Sequence, residues 1–292
     1  VSGGIPDPTA PLTPSGNLRR RQVFSKLTEY AATAAAVLAV GVLAIVVYTV
    51  VSRGAKAIDW EFLVTGYPTG VAPMLVGTAI IVGIATAIAM PIGVLVAIFL
   101  TEFAGSRAAG PVRTTLDLLN GIPSIILGLF VFNLLVNHKG QSGFAGAVAL
   151  SIIELPLVAR GTQEVMQLVP NSMREASDAL GVARWRSVLT VVLPSVLGGI
   201  ITATVLAVAR AAGETAPLIL LSSNVDLRKV SLDPSEALPN IPVFIYKLSE
   251  EGNPEGFATG WGISLLLISF ILFASLGARA LLARSKRKLS SS

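Results

Sequence analysis

Apolar residues do not alternate with polar ones along this chain. They run in long blocks bounded by charges or by Pro/Gly clusters. A hydrocarbon core roughly 30 Å thick needs about 20 apolar residues to cross it as helix. Six blocks approach or exceed that length: Leu27 to Val51, Met74 to Leu100, Ile122 to Val136, Gly143 to Ala159, Ser195 to Leu221 and Thr259 to Leu282. The third and fourth are the shortest. With no water in the bilayer to satisfy the backbone, such blocks are stable there as helices, so the pattern predicts an all-α integral membrane protein with six transmembrane helices. A removable signal peptide is not expected, because the first block is long, lacks a small-residue cleavage pattern and follows a polar stretch.

Composition agrees with the pattern. Of 292 residues, 53% are hydrophobic and 13% charged, and the mean hydropathy is +0.74, values that exclude an ordinary soluble domain. Lysine and arginine accumulate on cytoplasmic flanks, which sets orientation. Arg19, Arg20, Arg21 and Lys26 precede the first block, and Arg107 and Arg113 lie between the second and third. Arg160, Arg174, Arg184 and Arg186 lie between the fourth and fifth, and Arg284, Lys286, Arg287 and Lys288 follow the sixth. With six spans these segments share one side. The stretch from Asn224 to Ala258 is net acidic and fits the opposite, outer side. Both termini are therefore expected in the cytosol. The net charge of +5 is spread over membrane flanks, which suits a lipid bilayer and not nucleic acid.

Residues 1–17, with Pro6, Pro8, Pro11 and Pro14 among small polar residues, read as a disordered cytosolic tail. Residues 18–26 read as a basic interfacial segment, and residues 27–289 as a single transmembrane domain that includes a cytosolic loop at 171–194. The chain has no cysteine and one histidine, His138, which reads as a solvated loop residue. No Cys/His metal site and no cysteine nucleophile exist. No phosphate-binding G-x-x-x-x-G-K-[ST] loop occurs either, so the chain does not hydrolyse nucleotide by that route. Energy must come from a partner or a gradient.

The cytosolic loop reads REASDALGVARWRSVLTVVLP from Arg174 to Pro194. Glu175 to Leu180 suits a short helix, Gly181 permits a sharp turn, and Val182 to Leu189 can resume helix before Pro194 starts the next span. Two readings of this helix, bend and helix stand open. Its mixed face, with Ala179, Leu180, Val182 and Trp185 among arginines, suits a groove on another protein, or else it lies on lipid headgroups.

The spacing favours the first reading. Glu175-Ala176-Ser177, then Gly181, then Val191-x-Leu193-Pro194 resembles the EAA loop of ABC importer permeases, with Ser177 and Val191 as mild departures. DWEFLVTGYP (Asp59 to Pro68), NGIPSIILGLF (Asn120 to Phe130), LPLVARGTQE (Leu155 to Glu164), ARAAGETAPL (Ala209 to Leu218) and IPVFIYKL (Ile241 to Leu248) look like segments of the PstA-type membrane subunits of bacterial phosphate importers. The related PstC type shares ARAAGETAP. The resemblance runs from about Asp59 onward. It implies a type I, MetI/PstA-like permease fold in the bacterial cytoplasmic membrane, and a subunit that is not itself an enzyme. It also implies a second permease subunit of PstC type, a PstB-type ATPase pair carrying ATP-Mg, and an extracytoplasmic PstS-type binding protein that delivers phosphate. Within this chain it implies Glu175, Ala176, Gly181, Leu193 and Pro194 as the coupling element facing the ATPase. Arg210, Glu214 and, more weakly, Arg160 fall on the substrate path. No cofactor or metal is implied for this chain.

Arg210 and Glu214 interrupt an otherwise apolar block. An arginine at membrane depth costs about 2.5–3.5 kcal/mol on insertion scales, so neither charge should face lipid. Four residues apart on a helix, they can neutralise each other and serve packing alone. Gly213 and Pro217 are also four apart, however, so proline leaves the Gly213 carbonyl unpaired and kinks or opens the helix beside both charges. Such breaks are tolerated where they line protein or a watery cavity. A planar donor fork suits an oxyanion, and Glu214 can occupy that fork when the path is empty. Glu154 beside Pro156 is a third ionisable group at membrane depth, with no role assigned. The segment LPNIPVFIYKL in the outer stretch reads as re-entrant or as a plain loop. Permeases of other oxyanions, a PstC-type subunit, a secondary anion transporter and a non-transporting scaffold remain alternatives at this stage.

Overall fold

The computed structural model describes residues 18–103, 105–252 and 254–290. The tail at residues 1–17, read from the sequence as disordered, lies outside the described residues. Every regular element among them is helical. Five helices are long and apolar enough to cross a membrane, and a bent helix pair makes a sixth crossing if counted as one.

α1 (Leu18–Gly54) is a 37-residue helix that joins the basic segment and the first apolar block without a break. Residues 1–51 form one unit and residues 52–292 another. Within the first, Val37, Leu38, Leu43 and Ile45 are exposed, as suits a helix whose solvent is lipid or a neighbouring span.

In the second unit, α2 (Trp60–Val64) is capped by Asp59, whose carboxylate accepts from the Phe62 amide at 2.7 Å. α3 (Ala72–Ile98) ends in a π-helical turn at Phe99–Phe103. α4 (Ser106–Gly121) meets α5 (Ser124–Val131) at 98°. The break falls at Ile122, whose ψ of 130° follows from Pro123, because proline disfavours helical geometry in the residue before it. A second π turn, Phe132–Val136, closes this element. The sequence pattern shows the apolar half of this crossing. It misses α4, which carries Arg107 and Arg113 on a helix and not in a loop.

α6 (Gly143–Gln167) is the central element. Its Ala147 and Leu150 are buried with Ile81 and Ala85 of α3, and its Met166 with Ala97 of α3. A Cβ on Gly93 would stand 3.0 Å from the Val158 side chain, so the glycine lets the two backbones approach closely. α7 (Asn171–Ala179) and α8 (Arg184–Ser187) form the loop. A third π turn, Val188–Val192, carries α8 into α9 (Leu193–Ala211). Helix therefore runs without a break from Arg184 through Pro194 to Ala211. After α10 (Ala216–Leu221) the chain passes through a long loop to α11 (Ile241–Glu251) and α12 (Pro254–Ser290).

α11 resolves the outer segment. Asn240 caps it, its side-chain Oδ1 accepting from the Val243 amide at 3.1 Å. Ile241, Phe244 and Leu248 are buried with Phe62, Met74 and Ile263. LPNIPVFIYKL thus contains an 11-residue helix packed on α2, α3 and α12, too short to cross a bilayer.

Candidate functional site

The bend between α7 and α8 has a defined closure. The Gly181 amide donates to the Asp178 carbonyl at 2.9 Å and the Val182 amide to the Ser177 carbonyl at 3.2 Å. This pair of bonds is the Schellman ending of a helix, which needs a left-handed residue just past the cap. Gly181 supplies it with φ of +71°. Glu175 and Ala176 stand exposed on α7. Leu180 is 82% exposed and Trp185 54% exposed, with the Arg186 guanidinium 5.2 Å from the Trp185 ring. Val182 is half-buried. Two large apolar side chains held outward on a rigid bend make a ready contact for another surface. Leu193 and Pro194 open α9, where proline is tolerated because the amide it lacks would be unsatisfied.

Glu102 holds this loop, and sequence reasoning missed it. It sits in the π turn after α3 with its side chain 1% exposed. Its Oε1 accepts from Arg174 Nε at 3.1 Å and from Nη2 at 2.9 Å. Its Oε2 lies 3.1 Å from Nη2 of Arg184. Arg174 also donates to the backbone carbonyls of Val169 at 2.7 Å and Met166 at 3.0 Å. The available signal was one acid closing a long apolar block, which reveals a buried charge and not its partner.

At the far end of α9 the helix stops at Ala211 and α10 starts only at Ala216. Pro217 takes the second position of α10, so the Gly213–Pro217 spacing opens the helix instead of bending it. The Gly213 carbonyl is left to the Thr215 hydroxyl, which donates to it at 3.4 Å. Gly128 of α5 fits against this break, where a Cβ would come within 2.7 Å of Pro217 Cα. Arg210, in the last turn of α9, approaches Glu214 with Nε to Oε1 at 3.8 Å. The arginine side chain is 59% exposed and the glutamate 18%.

Arg210 also lines a groove of about 320 Å³ between α6 and α9. Its walls include Leu157, Gly161, Thr202 and Leu206, and Glu164 contributes a second charge. Gly161 faces Ala203 and Gly199 faces Val165, which brings the two helices together beneath it. Arg160 lies on another face of α6. It pairs with Asp117 of α4 and borders a polar recess of about 290 Å³ with Arg113, Gln163 and Gln167. Arg210 and Arg160 therefore belong to separate surfaces. Glu154 is fully buried, and its carboxylate accepts from the Thr86 hydroxyl of α3 at 3.1 Å.

The sequence matches the family described as binding-protein-dependent transport system inner membrane component over residues 89–287. It is 35% identical to phosphate transport system permease protein PstA 1 of Mycobacterium tuberculosis (strain H37Rv), covering 93% of this chain and 92% of that protein. It is 36% identical to the PstA protein of Xylella fastidiosa (strain Temecula1), over 82% of this chain and 85% of the relative. The fold is similar to that of the bacterial alginate ABC transporter in complex with its pentasaccharide-bound periplasmic protein. There the TM-score is 0.65 at 16% identity, covering 90% of this chain and 97% of that one. It is also similar to the inward-facing MetNI methionine ABC transporter, with a TM-score of 0.58 at 19% identity, over 77% and 96% of the two chains.

Proposed function

The chain belongs to the binding-protein-dependent inner-membrane transport components, and within them to the PstA-type phosphate permeases; from that premise we propose how its residues divide the work. It is the multi-pass inner-membrane permease subunit of a phosphate ABC importer, a membrane component that functions with other subunits. Those subunits are a PstC-type second permease, a PstB-type ATPase pair that binds ATP-Mg, and a PstS-type binding protein outside. Both termini lie in the cytosol, as the basic flanks require.

Glu175, Ala176, Gly181, Leu193 and Pro194 form the coupling element, with Leu180 and Trp185 as its apolar contacts on the ATPase. The observation that carries this reading is the glycine-closed bend holding those side chains outward. Arg210 is a transient phosphate partner. Its contact to Glu214, at 3.8 Å, is longer than a hydrogen bond, so the donor fork is available to an incoming oxyanion. Glu214 is its counter-charge when the path is empty. Arg160 belongs to the path on the side of α4, with Asp117 as its resting partner.

The test is reconstitution with all three partner types in sealed vesicles, with binding protein and phosphate outside and ATP inside. Phosphate accumulation that needs the ATPase, with little sulfate accumulation, is expected. Phosphate accumulation without the ATPase subunits would overturn the reading.

A further inference from the structure

Two arginines bracket the Gly181 bend, Arg174 on α7 before it and Arg184 on α8 after it. One buried carboxylate serves both, Oε1 of Glu102 toward Arg174 and Oε2 toward Arg184. Glu102 is carried by the extension of α3. Arg174 continues the connection into the last turn of α6 through the Met166 carbonyl and to the residues just after it through the Val169 carbonyl. Arg184 reaches back across the bend to Asp178 at 3.4 Å. A single acid thus ties both limbs of the bend to the ends of two membrane helices. Beside it, Ala97 of α3, Met166 and Val169 of the α6 end, and Val192 and Val196 at the start of the next span form one buried cluster. Packed cores of this kind transmit displacement and do not absorb it.

We propose that Glu102 is the positioning residue of the coupling loop, a clamp that makes the bend and the ends of α3 and α6 move as one body. The inference rests on the loop being the ATPase contact. Without the clamp the loop keeps its own hydrogen bonds, since the Schellman closure lies within α7 and the bend, but it swivels relative to the membrane helices. A push from the ATPase is then lost in the joint. Removing the acid also leaves two neighbouring guanidinium groups without their shared counter-charge, which drives them apart.

The experiment uses the complete reconstituted importer. The chain contains no cysteine, so with partner subunits freed of theirs, Phe103→Cys and Met173→Cys introduce a single spin-label pair across the clamp, both at positions exposed in this chain. With Glu102 intact, a narrow distance distribution and wild-type phosphate moved per ATP hydrolysed are expected. Glu102→Gln should broaden the distribution and lower that ratio by about tenfold or more, the equilibrium effect of losing one hydrogen bond to a charged group. Glu102→Asp should restore part of both, because it retains the charge on a shorter arm. Arg184→Gln, at a more exposed position, releases only the α8 limb and should give an intermediate ratio even if Glu102→Gln does not assemble. A narrow distribution with full coupling in Arg184→Gln and in whichever Glu102 variants assemble would overturn the clamp. Gly181→Val separates the two levels: if it uncouples hydrolysis while the clamp variants do not, the clamp alone is wrong. If it too leaves coupling intact, the docking assignment beneath it fails.

Discussion

Arg210 and Glu214 face each other across a break in the helix, their nearest charged atoms 3.8 Å apart. In an unbroken helix, residues four apart stack one above the other. Here α9 has ended by Glu214, so the glutamate hangs from irregular backbone and the arginine from the last helical turn. The separation allows Coulomb attraction without a hydrogen bond. That leaves the arginine charged, partly exposed and incompletely occupied, a state suited to receiving and releasing an anion.

The glycines near this break make contrasting demands. Gly213 has only the Arg210 carbonyl near the place of a Cβ, at 3.5 Å, so Gly213→Ala should assemble and transport at near the wild-type rate. Gly128 has the Pro217 backbone at 2.7 Å, which cannot yield as a side chain would. Gly128→Ala should push α5 away from α10, at a cost of about 1–3 kcal/mol. Detergent melting temperature and phosphate uptake should both fall for Gly128→Ala and hold for Gly213→Ala.

Gly181 tests the bend with no steric confusion, because nothing lies within 4 Å of its would-be Cβ. Its φ of +71° alone penalises a side chain, by about 1–2 kcal/mol for an L-residue in left-handed geometry. Gly181→Val, β-branched and stiffer, should weaken ATPase co-purification or uncouple hydrolysis while the membrane helices stay assembled. Gly181→Asn should lose less than Gly181→Val, because asparagine tolerates the left-handed region. Equal, wild-type coupling in both variants would count against the docking role.

Much of this was readable from local pattern, and the remainder fails for a common reason. Six apolar blocks, the glycine turn and the Gly213–Pro217 break are written in residues adjacent or four apart. Glu102 with Arg174 joins residues 72 positions apart, and Glu154 with Thr86 joins residues 68 apart, so no window along the chain contains either pair. Arg160 and Asp117 meet only because α4 folds beside α6, and α4 itself lacks the apolar block that marks a span. The 98° turn did carry a sign, Pro123 after Ile122, yet Ile122 reads equally well as the first residue of an apolar run. The groove beside Arg210 also needed both helices, since its second charge, Glu164, comes from α6.

Topology offers a check that does not depend on the site. Arg20 and Arg21 precede the first span, and the stretch around Asp233 and Glu236 is net acidic. A reporter fused after Leu289 should read cytosolic, whereas one inserted near Asp233 should read external. If both report the same side, α12, the one long apolar helix between the two positions, does not complete a crossing and the count of six is wrong.

The remaining prediction separates packing from transport at Arg210. If the pair with Glu214 served packing alone, removing one partner would strand a charge, and replacing both with apolar residues of similar length would be tolerated. Arg210→Met with Glu214→Met would then assemble and import phosphate. If Arg210 receives phosphate, the double variant has lost its donor fork, and uptake stays low although no stranded charge remains. Arg210→Lys sharpens the contrast, since lysine keeps the charge and can still attract Glu214 but presents a point charge in place of a planar fork. The arginine side chain is 59% exposed, and methionine at position 214 keeps a side chain of similar length to the glutamate it replaces, so neither change empties a buried site and normal assembly is expected for both variants. Uptake should fall at least about tenfold for Arg210→Lys, the loss that follows one charge-assisted hydrogen bond, and further for the double methionine variant. The measurement is initial phosphate uptake in cells without another phosphate transporter, normalised to permease in the membrane. A double methionine variant importing at near wild-type rate would make the pair structural and remove Arg210 from the path.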